Sequence, residues 1–255
     1  MVTYRSPREW ERMREAGRIV ARLLADVRDA AEPGVPLAEL DAVAARILKE
    51  CGATSPFLHY KPGWAPGPYP GNICVSVNEV VVHGIPDGRT LTDGDLVSLD
   101  CGAQIGGYCG DAAVSFMVGT ADAAGLRLIE TTRAALENAI GAAVPGNRLG
   151  DVAAAVERTA REAGYGIADG SGGHGIGTEM HEDPAVPNTG RAGRGMRLRA
   201  GLTIAIEPLV TEGGRDGTRY LEDGWSVATA DGSRAAHFEH SIAITEDGPL
   251  ILTAP

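Results

Sequence analysis

The sequence predicts an α+β fold in which helices cover one face of a curved, mainly antiparallel sheet. Three observations predict it: two separated stretches with helical periodicity, β-rich stretches at 72–118 and 165–252, and an approximate internal repeat. The 255 residues are enough for a sizeable core. No low-complexity linker interrupts them, so we expect one domain, 1–255, made of two pseudo-symmetric halves at about 1–118 and 119–255.

The first helix is predicted from a start signal and an apolar face. Ser6 and Glu9 have capping-box spacing, with Pro7 at the first helical position. Apolar residues then recur at helical spacing, at Trp10, Met13, Ile19, Val20, Leu23, Leu24 and Val27. In the second half, the corresponding face is expected to contain Leu126, Ile129, Ala134, Leu136 and Ile140.

The internal repeat consists of two segments, 31–42 and 143–154, that align without a gap. Each has a Pro-Gly pair between two predicted helices. The match continues to Gly52 and Gly164, which we expect to end the second helix of each pair. Chance similarity between alanine-rich helices is the alternative explanation. We favour duplication, because the Pro-Gly pair, a leucine, an arginine and the terminal glycine all match without a gap. Duplication would also direct the acidic residues of both halves towards a shared central axis.

Two pairs of acidic residues lie within the β-rich stretches, among apolar neighbours. Asp100 and Asp111 form the first pair, and Glu207 and Glu239 form the second. His174 lies between the pairs in a glycine-rich segment. Buried carboxylates are costly unless something neutralises them. Four carboxylates with one imidazole therefore indicate a metal centre.

The first acidic pair is expected to lie across a tight turn. If Ile105 and Gly106 are the central residues of that turn, Asp100 lies directly opposite Asp111 in the antiparallel pair. Like charges in opposite positions destabilise a sheet. A cation between the two carboxylates is one interpretation, and a shared proton or a solvated strand end is the other.

Charge and cysteine pattern argue against several classes of protein. The formal charge of −11 argues against a general nucleic-acid binder, although a local basic patch remains open. No apolar run is long enough to span a membrane, and the first residues lack an apolar signal core. The four cysteines form no Cys-x-x-Cys pair, so we expect reduced thiols in a cytoplasmic protein.

The order of the acidic residues and the histidine resembles that of the type I methionine aminopeptidases of the short bacterial form. These belong to the pita-bread (creatinase/aminopeptidase-like) metallopeptidases, and the resemblance covers nearly the whole chain. It rests on five stretches, at 80–86, 98–102, 173–177, 205–208 and 238–240. The resemblance implies the pita-bread fold and a metal ligand set of Asp100, Asp111, His174, Glu207 and Glu239.

The resemblance also implies a mechanism with two divalent ions, for which Co, Mn, Fe and Zn are candidates. A hydroxide activated by the metals would attack the first peptide carbonyl, and Glu207 would also move the proton. His83 and His181 match family histidines that contact the substrate and stabilise the tetrahedral intermediate. A purely structural role is the alternative for each histidine. His237 and His240 are expected to support the ligands or the packing.

An apolar pocket for the first side chain of the substrate is implied as well. By resemblance, the candidates for its lining are Tyr69, Cys74, Met180 and Trp225, each of which could equally be ordinary core. The segment 60–70 departs from the family, because it is longer, rich in proline and glycine, and gains Trp64. Its effect on the pocket is left open.

The predicted function is metal-dependent removal of the initiator methionine from nascent proteins with a small second residue. The alternative enzyme is a related aminopeptidase or dipeptidase with Xaa-Pro preference. The alternative from another class is a non-catalytic binding module of the same fold. Expected partners are nascent polypeptide N-termini and, transiently, the ribosome. We expect no specific nucleic acid, no membrane and a monomeric state.

Overall fold

The computed structural model describes residues 1–254, and within them it contains four α-helices and fourteen β-strands. The helices are α1 (Pro7–Ala30), α2 (Leu37–Glu50), α3 (Ala123–Ala142) and α4 (Leu149–Glu162). The strands are β1 (Cys74–Val77), β2 (Val80–Val82), β3 (Leu96–Ile105), β4 (Tyr108–Met117), β5 (Gly166–Ile167), β6 (Gly172–Gly175), β7 (Glu182–Pro187), β8 (Thr203–Ile206), β9 (Leu209–Thr211), β10 (Thr218–Tyr220), β11 (Val227–Thr229), β12 (Ala235–His237), β13 (Glu239–Thr245) and β14 (Gly248–Ile251).

The largest sheet has eight strands and runs through both predicted halves of the chain. Its order is β1-β3-β4-β13-β8-β6-β7, with β14 paired to β13. All of its pairings are antiparallel. Two smaller sheets have the orders β10-β11-β2 and β12-β9-β5. The predicted α+β class with a mainly antiparallel sheet is therefore confirmed.

Helix α1 begins where the sequence predicts. The Ser6 backbone N–H donates to Oε2 of Glu9 at 2.8 Å, as a capping box requires. The predicted apolar face is buried apart from Trp10, which is half-buried. The two helix-ending glycines are also confirmed. Gly52 and Gly164 follow the last turns of α2 and α4 with φ of 65° and 83°, a region that favours glycine.

Helix α3 presents a different face from the predicted one. Leu126 is 50% exposed, so its assignment to the buried face was wrong. The buried face instead contains Gly125, Leu128, Thr132, Ala135, Leu136, Ala139 and Ile140. Glycine, threonine and alanine occupy several buried positions, so a count of large apolar side chains places the face about one residue out of phase.

Each helical pair packs on its own part of the large sheet. Val20 of α1 and Leu40 of α2 belong to one apolar cluster with Leu99 of β3. Leu136 of α3 belongs to a second cluster with Ile242 of β13. Val114 of β4 packs against both clusters, and β4 pairs with β13, so this pairing joins the two parts of the sheet.

The β3–β4 turn corrects the predicted register. Its central residues are Gly106 and Gly107, with φ of 58° and 80°, and Ile105 pairs with Tyr108. A two-residue type I′ turn needs positive φ at both central positions, and two glycines meet that need better than an isoleucine and a glycine.

Consequently Asp100 lies opposite Ala113, and Asp111 lies opposite Gly102. The expectation that the two aspartates are directly opposite was wrong. They occupy diagonal positions on the same face of the sheet, since the offset is two residues and side chains alternate with a period of two. Diagonal neighbours still lie within reach of each other, so the two carboxyl groups can belong to one site.

Substitution of Gly17 tests how closely α1 packs against Leu252. A β carbon added there would lie 1.9 Å from the carbonyl oxygen of Leu252. We therefore expect Gly17→Ala to lower the free energy of unfolding by about 1–3 kcal/mol in urea denaturation. Gly141→Ala is the matched control in α3, where an added β carbon meets nothing within 4 Å. It should leave stability unchanged or raise it by up to about 1 kcal/mol. Equal stability of the two variants would contradict this packing.

Candidate metal centre and substrate cavity

Five neighbouring strands of the large sheet each deliver one candidate metal ligand. The strands follow one another in the order β3-β4-β13-β8-β6. In that order, the residues are Asp100, Asp111, Glu239, Glu207 directly after β8, and His174. All five line the same cavity. Strand pairing thus brings together residues that are far apart in the sequence.

Three of the five form a compact group. Ligand atoms of Asp111, His174 and Glu239 all lie within 4.8 Å of one another. His174 Nε2 is 3.6 Å from Oδ2 of Asp111. Asp100 and Glu207 line the same cavity as this group, and Asp100 is the diagonal neighbour of Asp111 in the β3–β4 pair. The arrangement offers oxygen ligands on several sides of one imidazole nitrogen.

Burial raises the pKa of all four carboxyl groups. The pKa of Asp111 and of Glu207 is raised to about 8, with burial as the largest cause for both. Burial and the neighbouring negative charges hold the pKa of Asp100 and of Glu239 well above its usual range. Without a cation, these groups therefore retain protons near neutral pH. A positive ion among them lowers the same pKa values.

The hydrogen bonding of these groups tests whether they suit a metal. Oδ1 of Asp100, Oδ1 of Asp111 and Oε1 of Glu239 are buried and have no hydrogen-bond partner among residues 1–254. Buried polar atoms are rarely left unpaired in native proteins. Carboxylate oxygens with one imidazole suit divalent first-row ions. The side chains present therefore fit a metal centre.

Hydrogen bonds hold two of the candidate ligands, Asp111 and His174, in place. The Asp111 N–H donates to the Ser241 hydroxyl at 3.0 Å, and that hydroxyl donates to the Asp111 carbonyl at 2.8 Å, so β4 is locked to β13. Nδ1 of His174 lies 2.8 Å from the Gly175 carbonyl. A proton on Nδ1 satisfies that contact and leaves the Nε2 lone pair free to bind a metal.

His237 is buried beside two of the carboxylates. Its Nε2 is 3.7 Å from Oε2 of Glu207 and 3.7 Å from Oε2 of Glu239. Burial lowers the pKa of His237 to about 3, so the ring is neutral at neutral pH. Its backbone is held by Ser115, whose hydroxyl accepts from the His237 N–H at 2.8 Å. His240 instead lies 2.8 Å from the Thr253 hydroxyl, a contact away from the ligands.

The cavity above the carboxylates has a volume of about 370 Å³. Among the predicted substrate-contacting residues, those that line it are His83, His181, Tyr69, Cys74 and Trp225. Met180 is buried in the same apolar cluster as Tyr69 and Trp225 but does not line the cavity. Sequence reasoning missed Tyr60 and Tyr220, which also line it. Tyr60 is the first residue of the unusual segment 60–70, whereas no local signal marks Tyr220.

The two cavity histidines are neutral. Burial lowers the pKa of His83 to about 4, and burial with the nearby His174 and His83 lowers the pKa of His181 to about 3. A neutral imidazole keeps one N–H donor and one acceptor. Nδ1 of His83 is buried without a partner in the described chain, and the His181 ring lies 4.3 Å from that of His174. Both rings can therefore meet a substrate beside the candidate metal ligands.

The chain belongs to metallopeptidase family M24, whose sequence profile matches residues 11–246. Over 99% of its length it is 49% identical to methionine aminopeptidase 1 of Mycobacterium tuberculosis, 95% of which is covered. The solved structure of methionine aminopeptidase from Thermotoga maritima is 44% identical and has a TM-score of 0.94, with both chains covered completely. Prolidase from Pyrococcus furiosus, at 22% identity, has a TM-score of 0.77 over 99% of this chain and 66% of its own, which shows a common fold. The fold is the pita-bread fold, as the sequence predicts.

Asp111→Asn tests the ligand assignment. It removes a negative charge from the compact group while keeping the side-chain shape, so the affinity for divalent metal should fall at least about 10-fold. Metal titration by calorimetry and metal analysis of the purified protein measure this. Asp247→Asn is the control, because Asp247 is exposed on the turn before β14. Unchanged metal affinity in Asp111→Asn would rule out Asp111 as a ligand.

Proposed function

We propose that this chain removes the N-terminal methionine from peptides and nascent proteins with a small second residue, in a metal-dependent reaction. One observation carries the proposal: the cavity joins a carboxylate-rich metal centre to an apolar end lined by aromatic rings. Family membership and the full-length similarity to methionine aminopeptidases support the same activity.

We propose that two divalent ions serve the reaction and that all five candidate ligands hold them. Four carboxylates exceed what one ion needs, and their negative charges can offset two positive ions close together. Co, Mn, Fe and Zn all suit such a ligand set. When bound, the ions supply Lewis acidity towards the peptide carbonyl and the attacking water.

Glu207 is proposed to move the proton. Its carboxyl group is only partly exposed and faces the cavity, and burial raises its pKa towards the neutral range. A carboxyl group in this position can take a proton from the attacking water and return it to the leaving amine. His83 and His181 are proposed to donate N–H hydrogen bonds to the carbonyl oxygen as negative charge develops on it.

The apolar end of the cavity is proposed to bind the methionine side chain. Tyr69 is 2% exposed and Trp225 is 5% exposed, and their ring centroids lie 5.0 Å apart. The Tyr69 hydroxyl donates to the Gly84 carbonyl at 2.8 Å, so its polar tip is satisfied away from the substrate. Aromatic rings beside Cys74 make a soft, polarisable surface that suits a thioether. Met180 would support this surface from behind, within the same apolar cluster.

The organisation and partners of the protein form part of the same proposal. We propose one catalytic domain with an internal pseudo-repeat, supported by two apolar clusters whose buried members fall at 19–118 and 135–244. Nascent N-termini are the substrates, and we propose transient ribosome contact, a monomeric state and a cytoplasmic location. Among the described residues, no helix has the length and apolar character to cross a membrane.

Release of methionine from the peptide Met-Ala-Ser tests the function. We expect release that is abolished by a chelator and restored by at least one of Co, Mn, Fe or Zn, measured by amino-acid analysis. Ala-Pro peptides serve as the comparison and should be cleaved much more slowly. Faster cleavage of Ala-Pro would favour the Xaa-Pro alternative. A folded, metal-loaded protein that cleaves neither would favour a binding module.

His83→Ala tests the donor role of that histidine. Loss of one donor to developing oxyanion charge should lower kcat about 10²- to 10³-fold, while metal content stays close to that of the parent. Because His83 has a φ of 58°, His83→Asn is the matched variant that tolerates this backbone conformation. It separates loss of the imidazole from backbone strain. Loss of metal in both variants would show that His83 has been misassigned.

A further inference from the structure

The unusual segment 60–70 is held firmly against the cavity. Its ends are joined by backbone hydrogen bonds, from the His59 N–H to the Tyr69 carbonyl at 2.9 Å and from the Tyr69 N–H to the Tyr60 carbonyl at 2.8 Å. The indole N–H of Trp225 donates to the Gly67 carbonyl at 3.2 Å. Ala65, in the middle of the segment, is buried. These attachments fix the position of the residues between them.

Trp64 projects from this segment over the mouth of the cavity. Its ring centroid lies 5.1 Å from that of Trp225 in an edge-to-face arrangement and 6.1 Å from that of His83 in a stacked one. The residue is nevertheless 52% exposed. One part of the indole therefore packs against the cavity wall, and the remainder is open to solvent.

A second exposed aromatic residue faces Trp64 from another element. Tyr220 ends β10, is 60% exposed, and has its ring centroid 5.8 Å from that of Trp64. Of the four tyrosine and tryptophan residues that are exposed within 1–254, three line this cavity, namely Tyr60, Trp64 and Tyr220. Exposed aromatic surface concentrated in one place marks a binding surface.

The cavity thus has a deep aromatic end and an exposed aromatic mouth. Tyr69 and Trp225 are almost fully buried at the deep end, where one side chain can be enclosed. A polypeptide whose first side chain fills that end must leave through the mouth, and each residue of extended chain adds about 3.3–3.6 Å. Residues beyond the second therefore pass Trp64 and Tyr220.

We propose that Trp64 and Tyr220 form a binding site for the third residue of the substrate and favour a large aromatic side chain there. The inference rests on the proposed function and extends it to substrate choice. An aromatic side chain can stack on the open face of Trp64 or meet the Tyr220 edge, a contact that serine cannot make. Trp64 and Tyr220 thus select among substrates and take no part in the chemical step.

The test compares Met-Ala-Phe-Gly with Met-Ala-Ser-Gly. For the parent protein, kcat/KM should favour the phenylalanine peptide about 2- to 12-fold, with most of the difference in KM. Trp64→Ala and Tyr220→Ala should each bring the ratio towards one, whereas Trp64→Phe should retain part of it. Tyr4→Ala is the control, because Tyr4 is an exposed aromatic residue that does not line the cavity.

The ratio of kcat/KM for the two peptides separates a loss of substrate selection from a general loss of activity. Trp64 also contacts His83, so its loss can slow both peptides, but a common effect cancels in the ratio. Tyr220 provides the second variant, because its only aromatic contact in the described chain is Trp64. Cleavage of both peptides without preference, or a preference that survives both alanine variants, would overturn the inference and leave the proposed function standing. If the metal-loaded parent cleaves neither peptide, the function fails and the inference fails with it.

Discussion

The concentration of negative charge at the centre of the sheet is the constraint on which the site depends. Four carboxyl groups converge there, and Asp111 and Glu239 are almost completely buried. Such a cluster is unfavourable unless protons or cations neutralise it. The surrounding structure tolerates it because the strands are held by their own pairing and by side chains such as Ser241, independently of the charges. The same electrostatics favour a cation among the four carboxyl groups.

Much of the fold and of the candidate site could be predicted, because the relevant signals are local. The start of α1 follows from Ser6, Pro7 and Glu9, and the ends of α2 and α4 follow from glycines that adopt positive φ. An acidic residue within an apolar strand is recognisable without knowing its neighbours, since its burial would be costly. The identity of the candidate ligands was therefore readable from the chain, with the family resemblance completing the set.

Features that depend on long-range geometry could not be predicted in the same way. The order β3-β4-β13-β8-β6 places strands from both halves of the chain side by side, and no local pattern specifies it. The β3–β4 register differs from the predicted one because two consecutive glycines, Gly106 and Gly107, form the turn one residue further along the chain. Tyr220 could not be predicted, because no local sequence pattern marks an exposed tyrosine in a short strand. Only the fold places it next to Trp64.

The position of β13 has a consequence for the coupling between the two parts of the molecule. This strand carries Glu239 and pairs with β4 on one side and β8 on the other. Ions bound by ligands on β3, β4, β13, β8 and β6 would act as cross-links across the β4–β13 pairing, where the two parts of the sheet join. The amide protons of β4 and β13 should then exchange with solvent only when the whole sheet opens. Bound ions would thus make the two parts a single cooperative unit. Opening of either part would then release the proposed ions.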